Sequence, residues 1–261
     1  MKGDEYMNVA HVVKEKIEQY KATEPILVDE IVEGLGKHRN AVYVTLNRLV
    51  GEGIIENYKK GIYYKPKKSR FGKVGLDKRK LVEKKYLKRD NKVLGYVTGP
   101  QIWNEWGLTA QMPNRIWIAQ NVRQKKLDED LNVLVIKANG NIKEKNIRAL
   151  QFLDIIDQID LIQDTDKENA AKKLIAIYKE KFEVYDRIAT LEEVKKYNKK
   201  VKVIFGLIAE SADINDEYFR ALLKCLKEEV QEGKKMIIDI NPVVFGGNRT
   251  WGNGYEITQK H

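Results

Sequence analysis

The sequence predicts a helix-rich α+β fold organised in three domains. Apolar residues recur at helical spacing in the N-terminal and C-terminal parts, while short β-prone runs occur near residue 60 and between residues 95 and 136. The single cysteine rules out an internal disulfide framework. We expect an N-terminal domain of helices closed by a hairpin, a basic linker with a small α+β middle domain, and a mainly helical C-terminal domain. Their predicted bounds are 1–66, 67–163 and 164–261.

The first 66 residues predict three helices followed by a β-hairpin. The predicted elements are helices at about 6–21, 31–35 and 39–50 and strands at 54–58 and 62–65. Gly36 is expected to end the second helix. Gly61 is expected to take a left-handed conformation in the turn between the strands. Three helices and a hairpin in this order indicate a winged helix-turn-helix.

The predicted third helix has the two faces that a recognition helix needs. Val42, Leu46 and Leu49 fall on one side, where they would face a core. We predict that the opposite side reads base edges in the major groove through Arg39, Asn40, Tyr43, Asn47 and Arg48. Basic residues around the hairpin are predicted to hold phosphates: Lys37, Lys59, Lys60, Lys65, Lys67 and Lys68. Two alternatives remain. Winged helices also serve as protein-interaction modules, and the polar outer face could simply be solvated.

Positive charge is concentrated in one block that follows this helix. Residues 57–92 hold 15 Lys/Arg and 3 Asp/Glu, a local charge of +12, although the whole chain carries only +10. The rest of the chain is therefore slightly acidic, and the block favours a polyanionic partner. We expect residues 65–73 to form an extended connector and residues 76–90 to form a basic helix. That helix is predicted to offer a secondary basic surface of Lys78, Arg79, Lys84, Lys85, Lys88 and Arg89.

The middle of the chain predicts a short helix between β-strands. Trp103 and Trp106 lie on this helix, which Gly107 is expected to end, and Trp117 lies on a following strand. The simplest interpretation places these tryptophans in the core of a small α+β domain. Stacking of one of them on a nucleic-acid base remains an alternative.

Three stretches of the sequence carry a family resemblance: residues 61–72, Gly-Tyr-Val-Thr-Gly at 95–99, and Gly-Leu-Thr-Ala-Gln-Met-Pro at 107–113. Together with the N-terminal pattern, they make residues 6–160 resemble the AbiEi-like antitoxins of type IV toxin–antitoxin systems, which belong to abortive infection and phage defence. The resemblance implies a repressor of its own operon that binds double-stranded operator DNA, with an inverted repeat expected. It also implies a nucleotidyltransferase-like toxin that is neutralised without a stable complex.

The sequence contains little that suggests catalysis. The three histidines are scattered, and no phosphate-binding loop or nucleophile elbow occurs, so we expect no enzymatic activity, cofactor or bound metal. Asp154, Asp157 and Asp160 are interpreted as a solvated acidic face. A metal-dependent nuclease that uses them, or Asp239, is the weaker alternative; an RNA- or protein-binding adaptor is the stronger one.

The remaining patterns concern the C-terminal region and location. Helices are predicted at 142–161, from about 168, and at 191–198, 201–210 and 216–231, followed by a strand at 236–240 and a loop-rich tail at 245–254. Cys225 is interpreted as a small core residue. The sequence shows no secretory signal and no apolar run of about 18 residues, so a cytoplasmic protein without a membrane segment is expected.

Overall fold

The computed structural model describes residues 8–70, 72–231, 236–246, 251 and 255–256. Its fold is helix-rich α+β, which confirms the predicted class. Contacts divide the chain into two compact units, residues 1–85 and 86–261. This division differs from the three predicted domains because residues 67–85 pack with the first unit. In addition, the sheet and helices on both sides of residue 163 share one hydrophobic core.

The first unit combines short helices, a three-stranded sheet and a separate hairpin. Its elements are α1 (Val9–Glu18), β1 (Pro25–Leu27), α2 (Val28–Val32), α3 (Arg39–Gly51), β2 (Glu56–Lys59), β3 (Ile62–Tyr64), β4 (Lys67–Ser69), β5 (Gly72–Val74) and α4 (Lys78–Val82). The sheet has the order β1-β3-β2 with antiparallel neighbours, and β4 pairs with β5. Strand β1 was not predicted from the sequence.

The helical spacing seen in the sequence accounts for the core of this unit. Val13 and Ile17 of α1 meet Val42, Leu46 and Leu49 of α3, and all five side chains are buried. Burial of an aliphatic side chain of this kind stabilises a fold by about 1.5–3 kcal/mol. Helix α1 is capped by the Asn8 side chain; the predicted start of this helix at residue 6 lies outside the described residues.

Three local predictions for the first unit are wrong. Gly36 does not end α2; Gly34 takes the left-handed turn with φ +79°, and Gly36–His38 form a 3₁₀ turn that leads into α3. Residues 67–69 pair with residues 72–74 as two antiparallel strands instead of forming an extended connector, and Gly72 adopts φ +111°. The basic helix is also shorter than expected, because the α-helical part ends at Val82.

A π-helical turn, Glu83–Leu87, replaces the last part of the predicted basic helix. The chain then forms the hairpin of β6 (Lys88–Arg89) and β7 (Lys92–Val93). Asp90 and Asn91 adopt φ values of +48° and +61° at its turn. These residue types tolerate left-handed backbone, which is why the chain reverses there.

The second unit packs a four-stranded sheet against helices. After β6 and β7, its elements are β8 (Gly95–Thr98), α5 (Pro100–Glu105), β9 (Ile116–Gln120), β10 (Lys126–Asp128), β11 (Val133–Lys137), α6 (Ile147–Asp157), α7 (Lys167–Lys181), α8 (Val184–Val194), α9 (Lys199–Ser211), α10 (Glu217–Gln231), β12 (Met236–Ile237) and β13 (Tyr255–Glu256). The sheet order is β10-β11-β9-β8; β9 and β11 run parallel, and the other neighbours are antiparallel.

Aromatic side chains fill the centre of the second unit. Phe152 of α6 lies 5.1 Å from the ring centroid of Tyr178 on α7 and 6.4 Å from that of Phe205 on α9. Trp103 is buried and meets Trp117 edge-on at 6.1 Å, which confirms the core interpretation for Trp103. None of the helices in the described residues has the length and apolarity that crossing a bilayer requires.

Two C-terminal predictions are corrected by the packing. Cys225 is exposed on α10, because the apolar face of this helix is formed by Phe219, Leu223 and Leu226. Within the predicted loop-rich tail, Trp251 is almost completely buried against Gly206 of α9, where an added Cβ would lie 2.4 Å from the ring. Most of the other tail residues lie outside the described residues.

Candidate nucleic-acid interface

Helix α3 exposes four of the five side chains that were predicted for its outer face, whereas the fifth, Tyr43, is half-buried. Asn40, Asn47 and Arg48 are exposed, whereas Val42 and Leu46 on the opposite side have no accessible surface. Beside the inner residues, Thr45 is also buried and its hydroxyl donates to the backbone oxygen of Ala41 at 2.9 Å. The polar side chains of the outer face are therefore accessible, and the buried inner side of α3 holds the helix against the core.

Tyr43 and Arg39 form a small cluster at the start of this face. Tyr43 is half-buried and packs on the core of the first unit, and the Arg39 guanidinium lies 5.9 Å from its ring centroid. Arg39 also pairs with Asp29 at 3.3 Å, and Arg48 pairs with Glu52 at 3.5 Å. Exposed ion pairs of this kind contribute about 0–1 kcal/mol, so neither arginine is strongly held by its partner.

The first hairpin, which we call the first wing (β2, β3 and their turn), exposes its basic tip. Lys59 and Lys60 are exposed, and Gly61 adopts φ +79° as predicted. The backbone oxygen of Gly61 accepts from the amide of Val28, which ties the tip to the start of α2. Lys37 is exposed in the 3₁₀ turn before α3.

Two lysines with predicted roles at the surface are instead engaged within the first unit: Lys65, which was predicted to hold a phosphate, and Lys84, which was predicted for the secondary basic surface. The Lys65 ammonium donates to the backbone oxygens of Glu18 and Tyr20, both at 2.9 Å, and so caps the C-terminus of α1. Lys84 donates to the backbone oxygen of Pro25 and lies near the carboxylates of Glu24 and Glu30. These partners are distant in sequence, so a local pattern does not reveal them.

The secondary basic surface does not exist as one helix face. Lys78 and Arg79 are exposed in α4, whereas Lys85 is half-buried in the π-helical turn. Lys88 and Arg89 belong to the second unit, where Lys88 pairs with Glu144 at 3.0 Å. The prediction is wrong because the helix on which it depended ends before these residues.

A second hairpin, absent from the predictions, is tied to the first wing. Glu56 of β2 accepts from the Tyr64 hydroxyl at 2.6 Å and from the Lys73 ammonium of β5 at 2.7 Å. The bond from Lys73, followed by that from Tyr64, holds the pKa of Glu56 below its ordinary value. The same carboxylate, with some burial, raises the pKa of Tyr64 to about 12. Glu56 therefore remains an anion that links the two hairpins.

The predicted acidic face is wrong, because the three aspartates of its helix point to different partners. Asp154 is buried, whereas Asp157 accepts from the Asn198 side chain at 2.8 Å. Asp160 pairs with Lys200 and with Lys167, which also binds Asp239 at 3.2 Å. Among the residues that the structure describes, no three His, Cys, Asp or Glu side chains converge as metal ligands would.

Comparison with known proteins gives little further information. No protein-family model matches the chain, and no curated protein does. Among solved structures, the chain is similar to the RV2827C protein from Mycobacterium tuberculosis, with a TM-score of 0.45 and 12% sequence identity over 88% of this chain and 84% of that chain.

Proposed function

We propose that this protein is a DNA-binding transcriptional repressor that acts as the antitoxin of a type IV, AbiE-like toxin–antitoxin system in the cytoplasm. The observation that carries DNA binding is the outer face of α3, where exposed amide and basic side chains lie opposite a fully buried apolar side. This arrangement suits a helix that enters the major groove, and the first unit would then act as a winged helix-turn-helix.

The side chains of α3 and the first wing suit different parts of a duplex. Asn40 and Asn47 can each make a bidentate pair with an adenine edge, and Arg48 suits guanine. Lys59 and Lys60 sit at the wing tip, where they would hold backbone phosphates. Phosphate contacts supply affinity and base contacts supply preference, so the two sets of residues make separable contributions.

The antitoxin part of the proposal depends on the second unit and on the stretch 107–113. This loop is held at several points: the Asn104 amide donates to the backbone oxygens of Thr109 and Gln111, both at 3.3 Å, and Asp164 accepts from the amide of Ala110 at 2.9 Å. Met112 remains 83% exposed. A fixed loop with an exposed tip supports a role in recognising another molecule. The toxin would be a nucleotidyltransferase-like protein, and its neutralisation would need no stable complex.

DNA binding can be tested with the duplex upstream of the protein's own gene, a random duplex and an RNA duplex of equal length. We expect tight binding to the first and weaker binding to the others. Asn40→Ala with Asn47→Ala should reduce the preference for the first duplex, whereas Lys59→Glu with Lys60→Glu should weaken both DNAs alike. Equal binding to RNA would favour the adaptor alternative and contradict the repressor.

The antitoxin role can be tested separately from repression. The Lys59→Glu/Lys60→Glu variant should still rescue cells from a nucleotidyltransferase-like toxin encoded beside the gene, expressed from an unrelated promoter. Wild-type protein that gives no rescue would contradict the antitoxin proposal and leave DNA binding untouched.

A further inference from the structure

The second hairpin, β4 and β5 with their turn, is a basic and exposed segment of the first unit. Residues 67–74 carry four Lys/Arg and no Asp/Glu, and every residue of both strands is exposed. A two-stranded hairpin without an apolar face is only marginally stable in water. Burial of apolar side chains therefore does not stabilise this hairpin. Its stability must come from the contacts that attach it to the rest of the first unit.

Thr23 joins both ends of the segment. Its amide donates to the backbone oxygen of Lys65 at 2.8 Å, and its own backbone oxygen accepts from the amide of Asp77 at 2.8 Å. Thr23 adopts φ +68°, a conformation that β-branched residues rarely take. Strained backbone of this kind persists only where the surroundings impose it. The base of the second hairpin is thus fixed to one point between α1 and β1.

The charges of the second hairpin are not balanced within the protein. Lys68 lies directly opposite Lys73 across the two strands, an arrangement of like charges that is destabilising. Lys73 is neutralised by Glu56 of the first wing. In the described part of the chain, the structure shows no hydrogen-bond or ion-pair partner for Lys67, Lys68 or Arg70. These three cations are available to an anion from outside.

We propose that the second hairpin is a second wing, which holds backbone phosphates of the same DNA duplex through Lys67, Lys68 and Arg70. This inference rests on the proposed DNA binding and extends it. The Glu56–Lys73 pair places the second wing beside strand β2 of the first, so the contacts continue along one duplex. Duplex DNA is favoured over an acidic peptide because α3 and the first wing belong to the same compact unit.

The test compares two triple variants of the full chain on a labelled random duplex of about 30 base pairs. Lys67→Ala/Lys68→Ala/Arg70→Ala removes the proposed contacts. Lys172→Ala/Lys179→Ala/Lys181→Ala is the matched control, since it removes three exposed charges from α7 in the second unit. Binding is measured by fluorescence anisotropy at several salt concentrations.

We expect the hairpin variant to bind about 10- to 100-fold more weakly than the control. Its log–log salt dependence should be shallower by about 2 to 3, since each phosphate contact contributes about 0.9. The single variant Arg70→Ala should lower the slope by about 1. Because it changes only one exposed side chain, this result would show that the loss in the triple variant does not come from misfolding. Hydroxyl-radical footprints of the hairpin variant on the upstream duplex should lose protection of the backbone beyond the first wing and keep protection of the backbone that flanks α3.

The outcomes separate this inference from the proposed function. If the wild type binds duplex DNA and the hairpin variants match the control in slope and footprint, the second wing is overturned and the repressor stands. If the wild type binds no duplex, both are overturned.

Discussion

We expect the buried carboxylate of Asp154 to give the second unit a pH-dependent stability. Its oxygens accept from the hydroxyls of Tyr96 at 2.8 Å, Thr98 at 2.9 Å and Tyr197 at 2.8 Å, but no cation is paired with it in the described residues. Burial raises the pKa of Asp154 from 3.8 to about 6, and the three hydroxyl bonds oppose this rise.

The sign of the effect follows from which state binds the proton. Between about pH 4 and pH 6 the folded protein holds a proton on Asp154 that the unfolded chain has lost. The contribution of Asp154 to the free energy of unfolding is therefore full below this window and is lost as pH rises through it. A difference of about two pKa units corresponds to about 3 kcal/mol. Asp154→Asn cannot ionise, so the variant lacks this decrease.

The measurement is urea unfolding of the wild type and Asp154→Asn at pH 4, 5, 6 and 7, followed by tryptophan fluorescence. All four tryptophans lie between residues 103 and 251, so the signal reports the second unit alone. We expect the stability of the variant relative to wild type to increase by about 2.5 kcal/mol from pH 4 to pH 7, because the unfolded carboxyl is already partly ionised at pH 4. A constant effect of the altered hydrogen bonds cancels in this comparison.

The same substitution at Asp213, whose side chain is 82% exposed, is the matched control for an Asp-to-Asn change at a solvent-exposed site. A difference curve for Asp154→Asn that does not change with pH would refute the reasoning. Such a result would mean that water reaches the Asp154 carboxylate or that the residues around it rearrange.

Three further predictions concern single contacts. Lys65→Met should destabilise the first unit by about 1–2 kcal/mol in thermal unfolding followed by circular dichroism, because it uncaps α1; a loss of DNA affinity without a loss of stability would restore its role as a phosphate ligand. Gly206→Ala should displace Trp251 and lower stability by about 1–3 kcal/mol, with a red-shifted fluorescence maximum; an unchanged spectrum would contradict the packing of that ring. Cys225 should react completely with a thiol reagent in the native protein; protection until unfolding would instead restore the core interpretation.

Local sequence was sufficient for features that depend on neighbouring residues. The spacing of Val42, Leu46 and Leu49 located the inner side of α3, because the period of a helix decides which residues share a face. Gly61 located the wing turn because few residues adopt its backbone conformation. Asp166 caps α7 by accepting from the amide of Asn169 at 2.6 Å, a contact that spans only three residues.

The features that sequence reasoning missed depend on partners far along the chain. Lys65 reads as one more member of a basic run, yet it caps a helix that ends 47 residues earlier at Glu18. In the sequence Asp154 is one of three evenly spaced aspartates, yet tertiary packing buries its carboxylate, which accepts from the hydroxyls of Tyr96 and Tyr197. The second hairpin was not predicted because its strands have no alternation of apolar and polar residues.

The sequence by itself therefore determined the helix-rich α+β class, the two faces of α3 and the position of the basic block. Only the tertiary structure decided which of those charges remain available to a ligand. The reason is physical: a periodic pattern reports burial along one element, whereas the state of a charge depends on whichever groups folding places within a few ångströms of it.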